Sequence, residues 1–391
     1  MKLLRTWLWF ASLLPLILLF GKDLGLTANT SKIILASIVS FPFIVTGGIK
    51  LFVARKLKIP GIAVISLILI LANIMFSIDY LKSMIYWFTY LILIVGITNL
   101  FKSIRYRGEL DDLNILLTQR LSVYLNISTL IIFLGIFSFG LGKEQTMNSL
   151  GIISGSAFVY QWFKRSSGYL NNILLLALLG FILIYSLSRS SIVLAILSIY
   201  VVEIFLKRRL TLMTLVLVAV GVLVFSVYDD QLLNLLNTKQ AATKTIENIE
   251  NLGRLNEDRF LLIKNFFDVF VNNIFVGYGV DTSYYLDESW NNSGNVGVHN
   301  GILETLLYVG LPLGSVFIYY FWRAGKSIYN EFISSNSYAS LMGFMVYSCL
   351  RTYGESYFLL NVGNVMSLTL IMVCIFYGIK GRKLHETSVR S

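Results

Sequence analysis

Charge is what this 391-residue chain has least of: 14% of its residues are Asp, Glu, Lys or Arg, against 56% hydrophobic ones. A soluble domain of this length carries about 25% charged residues, so the composition excludes one and indicates a polytopic membrane protein. Cysteine is nearly missing. The two present, Cys349 and Cys374, both fall in apolar runs, which excludes a disulfide framework or a thiolate metal site. There is no P-loop, no GxGxxG, no HExxH, no G-x-S-x-G and no CxxC. Nucleotide hydrolysis, zinc chemistry and serine hydrolysis therefore have no support. The Asp-rich metal motifs of nucleotide-sugar transferases are missing as well, so neither a cofactor nor a metal is expected. Strand-like alternation over about ten residues is also absent, against a β-barrel.

What is present is a series of long apolar runs. A helix needs about 20 residues to cross about 30 Å of hydrocarbon. The runs predict spans at approximately 4–20, 33–52, 59–76, 84–101, 123–141, 149–163, 170–187, 190–206, 210–227, 300–322, 338–352 and 362–379. The expected fold is thus all-α, a polytopic transmembrane helical bundle of about 12 spans. Leu3 to Phe20 lacks a small-residue cleavage site before Gly21-Lys22-Asp23 and reads as a retained first helix. The 149–163 run is short and contains Gly151, Gly155 and several polar residues, so a re-entrant segment is the alternative there.

The formal net charge of +11 suits loop charges that orient helices better than it suits nucleic-acid binding. With the N-terminus inside, Lys and Arg concentrate in alternate connections, notably Arg55-Lys56, Arg105, Arg107, Lys207-Arg208-Arg209, Arg323 and Lys380 to Lys383. That asymmetry places both termini in the cytoplasm and the one long polar segment outside. Three parts follow: 1–227, an N-terminal bundle; 228–298, a large external loop; and 299–391, C-terminal helices with a short cytoplasmic tail. No fixed-period repeat and no Gly/Ser or Pro-rich linker interrupts them.

The external loop is where chemistry is expected. From Glu257 to Asn273 it has helical periodicity: Lys264, Asn265, Asp268 and Asn272 share one face, and Phe260, Ile263, Phe266, Phe267 and Phe270 the other. Such a helix lies on the membrane or on the bundle. Arg259 breaks the pattern by falling on the apolar face. It either snorkels toward Asp258 or Glu257, or points into a cleft and clamps an anion. Arg254 is the second cation of this kind. The loop is net acidic, so an anionic substrate requires these specifically placed arginines. His299, one of two histidines, ends the loop. It is either an interface residue or a group that accepts a proton from a hydroxyl. Asn300 and Glu304 share a helix face just beyond it, and an ionisable residue at that depth faces protein or a cavity. Arg189 marks a short external hairpin, as an interface anchor or as a lining of the same cavity. Arg351 either pairs with Glu355, four residues on, or lines that cavity too. Gly277-Tyr278-Gly279 completes the set.

Order and spacing give these residues a pattern. Ser188-Arg189-Ser190 precedes a long outer loop containing Asp258-Arg259-x-x-Leu262, and Gly277-x-Gly279 follows eighteen residues after that arginine. His299-Asn300 then enters a helix, with Gly310 ten residues beyond Asn300. In this the chain resembles the O-antigen polymerase and O-antigen ligase family, bacterial membrane glycosyltransferases of surface-polysaccharide assembly. It departs from the family pattern at Ile263, where an aromatic is usual, and at Asn273-Ile274, where a proline is common. Gly310 and Gly314 also follow the histidine at looser spacing. Whether Arg254 or Arg259 fills the family's arginine role stays open.

The resemblance implies a substrate and a site. The donor would be an oligosaccharide on undecaprenyl diphosphate at the outer face of the inner membrane. Arginines would hold the diphosphate, and His299 would position or deprotonate the acceptor hydroxyl, with inversion and without a metal. The partners implied are the lipid-linked donor and acceptor, the bilayer and a chain-length regulator, with no nucleic acid. The expected activity is polymerisation of repeat units into O-antigen, capsular or exopolysaccharide. One alternative is a ligase moving polymer onto lipid A core, and another is a flippase. A flippase predicts midspan charges and internal repeats, whereas here the polar residues gather on one outer face.

Overall fold

The computed structural model describes residues 61–77, 110–139, 143–164 and 300–354, most of 169–206, 266–279 and 367–377, and part of 80–98. The described residues are helical, with short turns between. Seven α-helices are bounded: α1 Gly61–Met75, α2 Leu110–Phe139, α3 Lys143–Phe163, α4 Tyr169–Tyr185, α5 Arg189–Phe205, α6 Gly301–Ser334 and α7 Ala339–Gly354. Residues 80–98 and 367–377 are helical where described.

Helix α3 is the centre of the bundle. Every residue from Leu150 to Trp162 is buried, with α2, α4, α5 and α7 packed around it. Its small residues make this possible. Gly151 lies against Ser186 and Ser188, and Gly155 lies under the Tyr347 ring, so a Cβ at either position would collide. Small residues let helix backbones approach closely where lipid provides no hydrophobic drive. The hydroxyls that come with them are turned back onto the helix: Ser154 donates to the Gly151 carbonyl at 3.2 Å and Ser156 to Ile153 at 2.8 Å. Thr129, Ser198 and Ser348 do the same on neighbouring helices. A hydroxyl that bonds its own backbone carries little desolvation cost into an apolar interior.

The outer surfaces reverse the pattern of a water-soluble bundle. On α1, Ile65, Ile68, Leu71 and Met75 form an exposed stripe, while Asn73 is fully buried. On α5, Val193, Leu197, Tyr200 and Ile204 do likewise, while Ser191, Ser198 and Glu203 are buried. Apolar residues outward and polar residues inward is the arrangement that a hydrocarbon solvent favours.

Several boundaries differ from the sequence expectation. Helix α2 begins at Leu110 rather than 123, so Arg120 lies on a helix and not in a connection. The 149–163 segment is one continuous helix that starts at Lys143. Helix α6 runs to Ser334 rather than 322, placing Arg323 and Lys326 on it; Ala324, Ser327, Ile328 and Phe332 carry its buried face onward. Among the described residues, α6 alone is long and apolar enough to cross a membrane, with shorter apolar helices at Ile65–Met75, Leu121–Phe137, Asn172–Tyr185 and Ser190–Phe205. The expected spans 4–20, 33–52 and 210–227 lie outside the described residues.

Candidate functional site

Helix α6 starts with a cap and then breaks. Asn300 is extended (φ −138°, ψ 108°), and its side-chain oxygen accepts from the Ile302 and Leu303 amides at 3.1 Å each. This satisfies two of the donors that every helix start leaves open. The Asn300 amide oxygen is therefore committed to the helix, and His299 is the residue just before the cap. In the first turn, Glu304 is buried and accepts a 2.5 Å hydrogen bond from the Tyr308 hydroxyl. Its first-turn position places it at the positive end of the helix dipole.

The break comes at Gly310, whose φ of 76° and ψ of 171° are not helical. Pro312 follows two residues later and has no N–H to donate. The carbonyls of Leu307 and Tyr308 and the amide of Leu311 thus lose their partners within the helix. Residues 274–279 supply replacements. Tyr278 N–H donates to Leu307 at 3.0 Å, Gly279 N–H donates to Tyr308 at 2.9 Å, and Leu311 N–H donates to Ile274 at 2.7 Å. The strap 274–279 is in effect hydrogen-bonded into the gap in α6. Gly277 and Gly279 have positive φ, and a Cβ on Gly277 would meet the Gly310 amide and the Tyr308 carbonyl at 2.5 Å. Only glycine allows both that backbone and that approach. Gly277 is seated against α6, and Gly279, bonded to Tyr308, lies against Ser77.

The strap is further fixed from its own side. Phe266 and Phe270 stack at 5.1 Å and are buried with Leu307. Tyr278 donates its hydroxyl to the Val269 carbonyl at 2.8 Å. Burial pushes that hydroxyl above its ordinary pKa, so it remains a donor. Phe267, expected on the same face as Phe266, is exposed instead, together with Val271 and Phe275. The expected amphipathic helix is described from Phe266 on, and it ends in a 3-10 turn at Val271–Asn273.

A second group forms where α5 begins. Arg351, buried at 1% exposure near the end of α7, donates from Nη1 to the Ser190 hydroxyl at 2.7 Å. Two sequence-selected positions, the Ser188-Arg189-Ser190 turn and Arg351, are thereby brought together across 161 residues. Ser188 and Ser191 share a hydrogen bond of 2.7 Å beneath them. Arg189 is the first residue of α5. Arg254, Arg259 and His299 lie outside the described residues, as does Glu355.

Residues 174–318 match the model of the O-antigen ligase family. The sequence resemblance to O-antigen ligases and polymerases is thereby supported. No curated protein and no solved structure gives a significant match. The O-antigen ligase match takes in Arg189, Arg254, Arg259, Gly277, Gly279, His299, Asn300 and Glu304, and it ends before Arg351.

Two residues that hold this region were not selected from sequence. Asn73 and Trp87 are both fully buried; Asn73 bonds to the strap and to the α6 break, and Trp87 bonds to Asn73. The usable signal was a lone amide in the apolar run of α1, since a buried polar group in such a helix requires a partner.

Proposed function

We propose that this chain is a membrane glycosyltransferase that polymerises undecaprenyl-diphosphate-linked oligosaccharide units into O-antigen, capsular or exopolysaccharide. It would act at the outer face of the bacterial inner membrane as a multi-pass protein with both termini in the cytoplasm. The observation that carries the reading is the O-antigen ligase match across residues 174–318, which spans the α5 turn, the external loop and the start of α6. Proteins of that family act on lipid-linked glycans. The outward apolar faces of α1 and α5 and the polar groups at helix ends support a membrane-held site.

The chemistry follows from the side chains. Arg259, with Arg254, grips the diphosphate of the donor, since a guanidinium fork binds phosphate oxygens two at a time and stays charged. As the anomeric carbon–oxygen bond breaks, negative charge builds on the leaving diphosphate, and these cations stabilise it. His299 takes the proton of the acceptor hydroxyl as its oxygen attacks the anomeric carbon from the opposite face. The configuration inverts. The diphosphate is already an activated leaving group, so the step needs neither ATP nor a metal. Arg351 gives a second cationic position at Ser190, next in sequence to Arg189, and the pair would suit a further anionic or hydroxyl-rich part of the substrate.

A second reading is ligase activity, transferring finished polymer to lipid A core; the description of the matching family as O-antigen ligase favours it. Complementation of deletion strains separates the two. A strain lacking its polymerase shows one repeat unit on core, and one lacking its ligase shows free polymer and bare core. The chain restores long ladders in the first strain if it is a polymerase. It restores core attachment in the second if it is a ligase. Restoration of neither contradicts both readings.

A further inference from the structure

One side chain from a distant helix ties the external loop to the break in α6. Asn73 of α1 donates through Nδ2 to the Val276 carbonyl at 2.6 Å and to the Tyr308 carbonyl at 2.8 Å. Its Oδ1 accepts from Trp87 Nε1 at 2.8 Å. Two carbonyls at one end and an indole N–H at the other leave no ambiguity in the orientation of the amide. Val276 belongs to the strap and Tyr308 to the upper half of α6, so the amide bridges the two pieces that the backbone bonds also join. Trp87 is held in turn. It stacks on Phe317 at 6.4 Å and meets Tyr90 edge-on at 5.7 Å, and Tyr90 contacts Phe317 at 5.8 Å. Phe317 lies in α6 below the break. The chain of contacts from Phe317 through Trp87 and Asn73 to Tyr308 therefore spans the break and fixes one half of α6 relative to the other.

In sequence, the groups proposed to react adjoin the described parts of this assembly. Arg259 is seven residues before Phe266, and His299 immediately precedes the capping residue Asn300. A buried amide that has every strong bond made is costly to disturb. It offers what a site on a loop otherwise lacks, a rigid support.

We propose that Asn73, oriented by Trp87, is a positioning residue for glycosyl transfer: it locks the 274–279 strap onto the α6 break, so that the loop arginine and His299 are held in register. The inference rests on the transferase reading, and the test separates the two. Full-length Asn73→Leu and Trp87→Phe proteins are compared with the native chain in detergent. The measurements are hydrogen exchange over 271–280 and turnover of an undecaprenyl-diphosphate-linked oligosaccharide. In Asn73→Leu, the Tyr278 and Gly279 amides exchange about tenfold faster or more, while α3 keeps its protection. The kcat falls about tenfold or more, with KM within about twofold, because alignment rather than binding is lost. Trp87→Phe shifts both in the same direction by a smaller factor. Unchanged exchange over 271–280 in both variants overturns the proposal, and so does faster exchange with an unchanged kcat. If the native chain transfers no sugar, the transferase reading falls, and the exchange measurement alone decides whether Asn73 locks the strap.

Discussion

Helices α3 and α6 use the same residue, glycine, to opposite ends. In α3, Gly151 and Gly155 keep helical backbone and serve by having no side chain: Ser186, Ser188 and Tyr347 occupy the space. In α6, Gly310 leaves the helical region altogether, and the strap with Gly277 and Gly279 fills the gap. Helix α3 is uninterrupted and buried through its middle, a support for four neighbours. Helix α6 is broken where the 274–279 strap docks. A bundle that must present a loop at a fixed height needs both kinds, a regular helix to pack against and an interrupted one whose freed backbone groups receive the loop. In a low-dielectric surrounding each freed group requires a partner, so the break itself specifies where the strap sits.

Substitutions at these glycines test the contrast. Gly310→Ala is expected to have the largest effect, about 3 kcal/mol or more. A left-handed residue gains a Cβ that meets the Phe275 carbonyl, combining backbone strain with a clash against rigid backbone. Thermal unfolding in detergent should show the loss, with protection of the strap amides disappearing first. Gly155→Ala is expected to cost about 1–3 kcal/mol by overpacking against Tyr347. Tyr347→Phe in the same chain should return part of that, because the hydroxyl is the nearest obstacle. A double-mutant cycle measures the coupling, expected at about 0.5 kcal/mol or more. If Gly310→Ala proved milder than Gly155→Ala, the distinction between a packing glycine and a breaking glycine would fail. Asn300→Ala is expected to cost the least, about 1 kcal/mol, as the loss of a helix cap. The strap bonds at Leu307 and Tyr308 hold the same short segment from its other end, so unfolding should shift with little change in exchange over 274–279.

The all-helical character is legible because long apolar runs favour helices, which satisfy their own backbone groups. Helix ends were less so. The last turns of α6, from Arg323 to Ser334, mix charged residues with Ala324, Ile328 and Phe332, and a hydropathy reading stops at the first charges. The re-entrant alternative for 149–163 arose because glycines and serines look unfavourable in a span. Their value appears only with Ser188 and Tyr347 in view. Site residues were selected by type, and the structure supplies reasons that spacing does not carry. Asn300 was found as a polar neighbour of His299 and proves to be a cap. Gly277 and Gly279 were found as a weak motif and prove to complete a helix break some 30 residues on. Arg351 suggests a bond to Glu355 one turn away, which lies outside the described residues; nothing local points to its bond with Ser190, 161 positions back. Asn73 had no local pattern at all, because both of its acceptors are more than 200 residues away.

The central claim is that this chain moves sugars from a lipid diphosphate using Arg259 and His299. The direct measurement is a reaction of purified protein with undecaprenyl-diphosphate-linked repeat units, following glycan length and released undecaprenyl diphosphate together. The account predicts lengthening ladders with release in step, both lost in Arg259→Ala and in His299→Ala proteins that remain folded. Normal ladders from the two variants would contradict it.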